Sequence, residues 1–203
     1  DLHTRVCREL SASRERSKLL SSSIRQSLQF EDRYHKIWSD VHLEQYLGTM
    51  EDEFPEDKGK PGAQLYTTRL ELHYGIESGA LKETVDFPKE RLPLGEIWRN
   101  YGIYKYVMSL PGHGLDCHRT WEALLLGACV ITIHSWLDPI LEPYRVIFVE
   151  RKDELWWKSL SDRGWLDKAG RSVAMKRSLD LSWDAWVNPI RQRLSMGQEA
   201  SYD

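Results

Sequence analysis

The residues best suited to chemistry lie in one short stretch, Leu110-Pro-Gly-His-Gly-Leu-Asp116, and in the helix-forming run that begins after it. Gly112 and Gly114 carry no Cβ and so let backbone come close to a ligand. Asp116 is suited to cap the helix that follows by accepting its early amide hydrogens. That helix start offers free N–H groups and the positive end of a helix dipole, which together make an anion site. His118 and Arg119 place positive charge where the dipole disfavours it, by about 0.3–1 kcal/mol for a full charge. A sequence chosen for stability alone would carry Asp or Glu there. An anionic ligand such as a diphosphate offsets the cost, with Arg119 making a charge-assisted contact. Glu122 stands three residues after Arg119, so both leave one helix face. A lone carboxylate inside Trp121-Glu-Ala-Leu-Leu-Leu126 wants hydrogen-bond donors, and ribose hydroxyls supply them. Each feature also has a plain structural reading: Asp116 as a cap, Glu122 paired with Arg119, the glycines as a turn. Their coincidence at one junction favours the ligand.

Hydrophobic patterning gives the elements that must position this junction. Tyr104–Ser109 reads as a strand. Cys117–Leu126 reads as a helix apolar almost all round, hence buried, with Gly127 at its C-terminal cap. Ala128–His134 is an apolar, β-branched run, the mark of a strand covered on both faces, and Arg145–Glu150 is another. Upstream, Leu94, Ile97, Trp98 and Tyr101 fall at i, i+3, i+4 and i+7, one face of a helix. Glu83–Phe87 reads as a weak strand closed by Pro88. Before it, a strand end at Gln64–Thr67 leads into a helix through Leu70, Leu72 and Ile76 to Gly79. Strand, helix, strand, short helix, strand, with tight connections, predicts an α/β fold: a Rossmann-like parallel sheet flanked by helices. In such sheets ligands bind beyond the carboxyl ends of the strands, where the glycine loop falls.

Residues 1–60 read as a helical N-terminal segment and linker. Val6, Leu10, Leu20, Ile24 and Leu28 form a thin apolar stripe, and Tyr34, Ile37, Trp38 and Val41 predict a second helix over Arg33–Leu47. An acidic stretch with two prolines and two glycines, Glu51–Gly62, then closes the segment as a loop. Residues 61–203 form the Rossmann-like domain, ending in two helices after Asp153. The second of these runs through Trp183, Trp186, Val187, Ile190 and Leu194.

Composition sets bounds on function. The 203 residues are 41% hydrophobic and 29% charged, a globular balance with enough apolar material for a core. The net charge of −3, with basic residues dispersed among acids, excludes global attraction to nucleic acid. Cys7, Cys117 and Cys129 are too few and scattered for a disulfide framework, and no paired zinc-ligand spacing is present. No run of roughly 18 apolar residues could span a membrane. The start at Asp1, with no signal-like segment, fits a processed or excised piece. Nine tryptophans point first to core and interface packing. His3, His35, His42 and His73 read as surface or satisfied core residues.

The run from Tyr104 through Leu110-Pro-Gly-His-Gly114, Cys117-His-Arg-Thr-Trp-Glu122 and Gly127 resembles a motif of the exostosin-like glycosyltransferases. The continuation Ala128–Leu141 and Arg145–Val149 is similar to that family too, as is the upstream order from Thr67-Thr-Arg69 to the Trp98 helix. The resemblance covers about half the chain, Gln64 to Trp157. It implies the C-terminal, donor-binding half of a two-domain GT-B enzyme that transfers a sugar from a nucleotide-diphosphate donor to an acceptor hydroxyl. Arg119 would contact the donor diphosphate and Glu122 the ribose, while Gly112 and Gly114 would leave room for the nucleotide sugar. Arg69 is a weaker candidate for the phosphate side. Asp116 and His118, from the reading of the loop and helix start, and His113 are counted with this candidate donor site. Relatives often read Pro-Pro-Gly-Asn-Gly where this chain reads Leu110-Pro-Gly-His-Gly114, so His113 alters the loop's polar contacts. Val130 stands where they often carry Pro. The family implies no metal and no cofactor beyond the nucleotide sugar, a glycan or protein acceptor, and a Golgi lumen setting. It leaves the catalytic base, the stereochemistry and the donor base open, and the acceptor domain, or an oligomer partner in its place, would lie outside this chain.

Two other readings compete. A non-catalytic module that binds a nucleotide or a partner would use the Trp-rich C-terminal region of Trp156, Trp157, Trp165, Trp183 and Trp186 as an exposed surface. A metal-dependent hydrolase would need His113, Cys117, His118 and His134 to converge, at spacings that match no ordinary metal motif.

Overall fold

The computed structural model describes residues 32–40, 63–112 and 114–176. The described elements are β1 (Tyr34–Trp38), α1 (Ala63–Glu77), β2 (Val85–Asp86), α2 (Leu94–Ile103), β3 (Tyr104–Met108), α3 (His118–Leu125), β4 (Cys129–Ile133), α4 (Asp138–Leu141), β5 (Val146–Val149), a 3-10 turn (Trp156–Ser161) and α5 (Arg163–Val173). The five strands form one parallel sheet in the order β2-β1-β3-β4-β5. Ile37 of β1 pairs with Val85 on one side and Tyr106 on the other. The α/β, Rossmann-like fold class expected from the patterning is the one observed.

Side-chain alternation along the strands sorts the core into two layers. Ile37, Tyr106, Met108, Cys129 and Ile131 pack with Leu72 of α1, Trp156 and Trp157 of the 3-10 turn, and Leu166 of α5. Trp38, Val107 and Val130 point the other way, onto Trp98 and Tyr101 of α2, Ala123 and Leu124 of α3, and Leu141 of α4. The β1–β2 connection runs outward in one direction and those from β2 to β5 run back in the other. Crossovers of one hand therefore put α1 on one face and α2, α3 and α4 on the other. All five residues of β4 are buried, which is why that strand has no polar alternation to read.

Several expectations need correction. Within the Arg33–Leu47 segment read as a helix, Tyr34–Trp38 is an inner strand of the sheet, between β2 and β3. Ile37 and Trp38 are adjacent and both buried, on opposite layers, as in a strand covered on both faces. Their spacing from Tyr34 fits a helix equally well, so periodicity over so short a run could not decide. The sheet thus draws a strand from the stretch set apart as residues 1–60. Gln64–Thr67 belongs to α1 and is no strand end. The helix α3 is not apolar all round: Thr120, Ala123 and Leu124 are buried and Trp121 and Leu125 are partly buried against the same layer, while Glu122 stays half-exposed. Trp156 and Trp157 are buried and Trp165 packs against the core, so this part of the Trp-rich region is interior. The helices expected in 1–29 and through Trp183 to Leu194, the remainder of the 33–47 helix beyond Asp40, and the Glu51–Gly62 loop lie outside the described residues.

Candidate functional site

The order β2-β1-β3-β4-β5 reverses its winding between β1 and β3, and a crevice opens there beyond the carboxyl ends of the strands. Chain leaves β1 through Ser39 and Asp40, and leaves β3 through Ser109 into the glycine loop. A cleft of about 370 Å³ occupies this position, lined by Asp40, Arg69, Arg91, Ile97, Tyr101, His118, Arg119 and Glu122. A smaller hollow of about 190 Å³ adjoins it, sharing Arg69, His118 and Arg119 and adding Gly112, Gly114, Asp116 and Cys117. The larger volume lies within the range of small-molecule sites. Three arginines face two carboxylates along the larger cleft, although the chain as a whole carries a net charge of −3.

Arg119 leaves the first turn of α3 with its side chain 12% exposed and donates from Nε to Asp40 Oδ1 at 2.7 Å. Its Nη1 lies 3.6 Å from Cys117 Sγ. Burial is the largest single influence and works against its charge, but the Asp40 carboxylate, with Tyr101 and Cys117 adding to it, raises the guanidinium above the ordinary arginine value. Arg119 is therefore a fixed cation. Asp40 also accepts from the Tyr101 hydroxyl at 3.1 Å. Burial first, and then the Asp40 charge, push the Tyr101 phenol upward, so it remains a donor. Glu122 accepts from Trp98 Nε1 at 2.9 Å, and among the described residues it has no bond to Arg119. The indole occupies Oε2 and sets the carboxylate's orientation at the cleft wall.

Ser109 Oγ and Thr120 Oγ1 lie 2.8 Å apart and tie the end of β3 to the first turn of α3. The N-cap of α3 is Cys117, in extended conformation and without a side-chain cap bond. Asp116 therefore does not cap the helix: it sits one residue too early, and its Oδ1 accepts from Trp121 Nε1 at 2.7 Å. That correction leaves the helix start open toward the hollow, which suits an anion better than a capped end. His118 is exposed on the rim.

Arg69 also departs from its expected role. It is 4% exposed and donates from Nε to the Pro111 carbonyl at 2.6 Å and from Nη2 to the Leu110 carbonyl at 3.0 Å. It clamps the glycine loop from behind, and its charge still reaches the cleft. A Cβ on Gly112 would lie 2.8 Å from Arg69 Nη2, so this glycine makes room for the clamp. Gly114 has open space around its missing Cβ. His113 lies outside the described residues.

Asp40, Tyr101 and Arg91 were missed by sequence reasoning. Asp40 carried a usable signal, since it comes two residues after Ile37-Trp38, but only once that run is read as a strand. Among the described residues no three of His, Cys, Asp and Glu are grouped to hold a metal ion. His134 instead pairs its Nδ1 with Asp138 Oδ2 at 2.6 Å, and it does not line the hollow that Cys117 and His118 share. No family model matches the chain, and neither a curated protein nor a solved structure matches it.

Proposed function

We propose that the cleft at the β1–β3 crevice binds a nucleotide diphosphate, and that the chain is the donor-binding part of a glycosyltransferase. The observation that carries this is Arg119, a buried and permanently charged guanidinium held by Asp40 at the open N-terminus of α3, with Glu122 on the same cleft wall. A diphosphate would sit between Arg119 and the early amides of α3, within the field of Arg69 and Arg91. Glu122, with one oxygen already on Trp98, would offer the other to a ribose hydroxyl. In transfer, the charge that grows on the departing diphosphate would be stabilised by dipoles and a guanidinium that need no reorganisation. The resemblance of the Tyr104–Gly127 run to exostosin-like enzymes supports this reading.

The test is calorimetric titration with UDP, GDP and their sugars, repeated on Arg119→Ala and Glu122→Ala. Saturable binding that weakens at least about tenfold in each variant fits the reading. Absence of binding to every nucleotide would end it. A second reading, a nucleotide-binding module without catalysis, is favoured by the partners that Arg119 and Glu122 already hold within the chain. Donor hydrolysis by the chain separates the two.

A further inference from the structure

Trp136 is 92% exposed, against 5% and 7% for Trp156 and Trp157. It sits in the loop that follows β4, on the carboxyl rim of the sheet. Because β4 neighbours β3, this loop flanks the one that carries Gly112 and Gly114.

Hydrogen bonds fix the loop on which the ring stands. Ser135 N donates to Asp138 Oδ1 at 2.8 Å, Leu137 N donates to Ser135 Oγ at 3.2 Å, and Asp138 N donates to the Ser135 carbonyl at 3.1 Å. The second Asp138 oxygen meets His134 Nδ1 at 2.6 Å, and the imidazole stacks on Phe148 with centroids 5.3 Å apart. A carboxylate only accepts, so Nδ1 carries the proton and Nε2 is left as the open polar atom of a half-exposed ring.

We infer that the His134–Asp138 loop is a subsite for the pyranose ring of a sugar, with Trp136 as its stacking face and His134 Nε2 as a hydrogen-bond partner. The inference rests on the nucleotide-sugar reading of the neighbouring cleft. An exposed indole gives up water readily to an apolar C–H face, and polar groups beside it meet the hydroxyls on a sugar's edge. The loop sets polar groups beside the ring, Ser135, Asp138 and His134, along with half-buried Leu137 and, four residues on, exposed Ile140. A stable protein interface needs on the order of 1,000 Å² of contact, more than these few side chains offer. The sugar could belong to the donor or to the acceptor.

The test starts from the whole chain with UDP, which reports on the cleft alone. Cellotriose, chitotriose and xylotriose then probe the acceptor source, because β-linked equatorial rings present flat C–H faces. The gain in affinity of a UDP-sugar over UDP probes the donor source. Trp136→Ala should lower either the trisaccharide affinity or that gain by about tenfold, with UDP affinity unchanged. Trp136→Tyr should restore part of it, and His134→Gln should lower it less. Trisaccharide binding lost in Trp136→Ala while UDP fails to bind would keep the subsite and overturn the cleft reading. UDP binding with no trisaccharide binding and no Trp136-dependent gain would overturn the subsite. So would self-association, read by sedimentation, that disappears in Trp136→Ala.

Discussion

Two arginines are buried at opposite ends of the same helical layer, and they are held in opposite ways. Arg33, just before β1, donates from Nη1 to the Tyr101 carbonyl at 3.3 Å and from Nη2 to the Leu126 carbonyl at 2.7 Å. It thus caps the carboxyl ends of α2 and α3, where a cation is favoured by the dipole and the last carbonyls need donors. Gly127, at φ +80, leaves the space its guanidinium fills. Burial, and after it the Arg145 charge, lowers Arg33 to about 10, which still leaves it protonated at neutral pH. Arg119 stands at the amino end of α3, where a cation is disfavoured, and it needs the Asp40 carboxylate to be tolerated. One end of the sheet is arranged for stability. The other keeps a charge that stability alone would not select.

This contrast can be tested by substitution, beginning with the largest effect. Arg33→Ala should lower unfolding free energy by about 3 kcal/mol in urea denaturation, since two buried carbonyls lose their donor, while UDP affinity stays unchanged. A loss below about 1 kcal/mol would remove Arg33 as the stability end of the comparison. Gly112→Ala should cost about 2 kcal/mol in the same assay, because the new Cβ displaces Arg69 from the loop carbonyls. It should weaken UDP binding as well, which Arg33→Ala should not. Arg119→Lys keeps the charge beside Asp40 but loses the planar fork. UDP affinity should fall about tenfold in calorimetry, with a stability change below about 1 kcal/mol. A stability loss larger than the binding loss would mean that the pair is structural. The smallest effect concerns thiols. At pH 8, UDP at about twice its Kd should slow alkylation of Cys117 about threefold, read by peptide mass spectrometry. Cys129 should react far more slowly, because it is buried and burial pushes its thiol up to about 12, leaving little thiolate at pH 8.

The β3–α3–β4 region was legible because its signals are local. A β-branched run, a glycine loop and a helical face each declare themselves within a few residues, and the observed strands and helix fall close to the expected ranges. The partners of the site residues were not legible, because they come from far along the chain. Arg119 is 79 positions from Asp40, and Arg69 is 41 from the Leu110 carbonyl it holds. Nothing around Arg69 in sequence distinguishes a residue that grips backbone from one that grips phosphate. The same applies to Glu122, whose indole partner lies on a different helix. Asp116 failed for a smaller reason: the cap position moved by a single residue, to Cys117. The strand at Tyr34–Trp38 failed because five residues are too few for a 2.0 and a 3.6 repeat to separate.

The placing of β1 has a consequence for how the molecule comes together. The earliest described strand lies between β2 and β3, so its neighbours on both sides are made later in the chain. The units β3–α3–β4 and β4–α4–β5 close over short connections, whereas β1 must wait for distant partners and bear the greater loop-closure entropy. On this account the later strands are expected to assemble first, with an open edge at β3 that β1 then fills. The docking of β1 delivers Asp40 to Arg119, 79 positions away, so ligand-binding competence should appear together with the last cooperative step of folding. A ligand that selects the closed crevice would then act as a folding clamp, slowing unfolding most at the strand that arrives last.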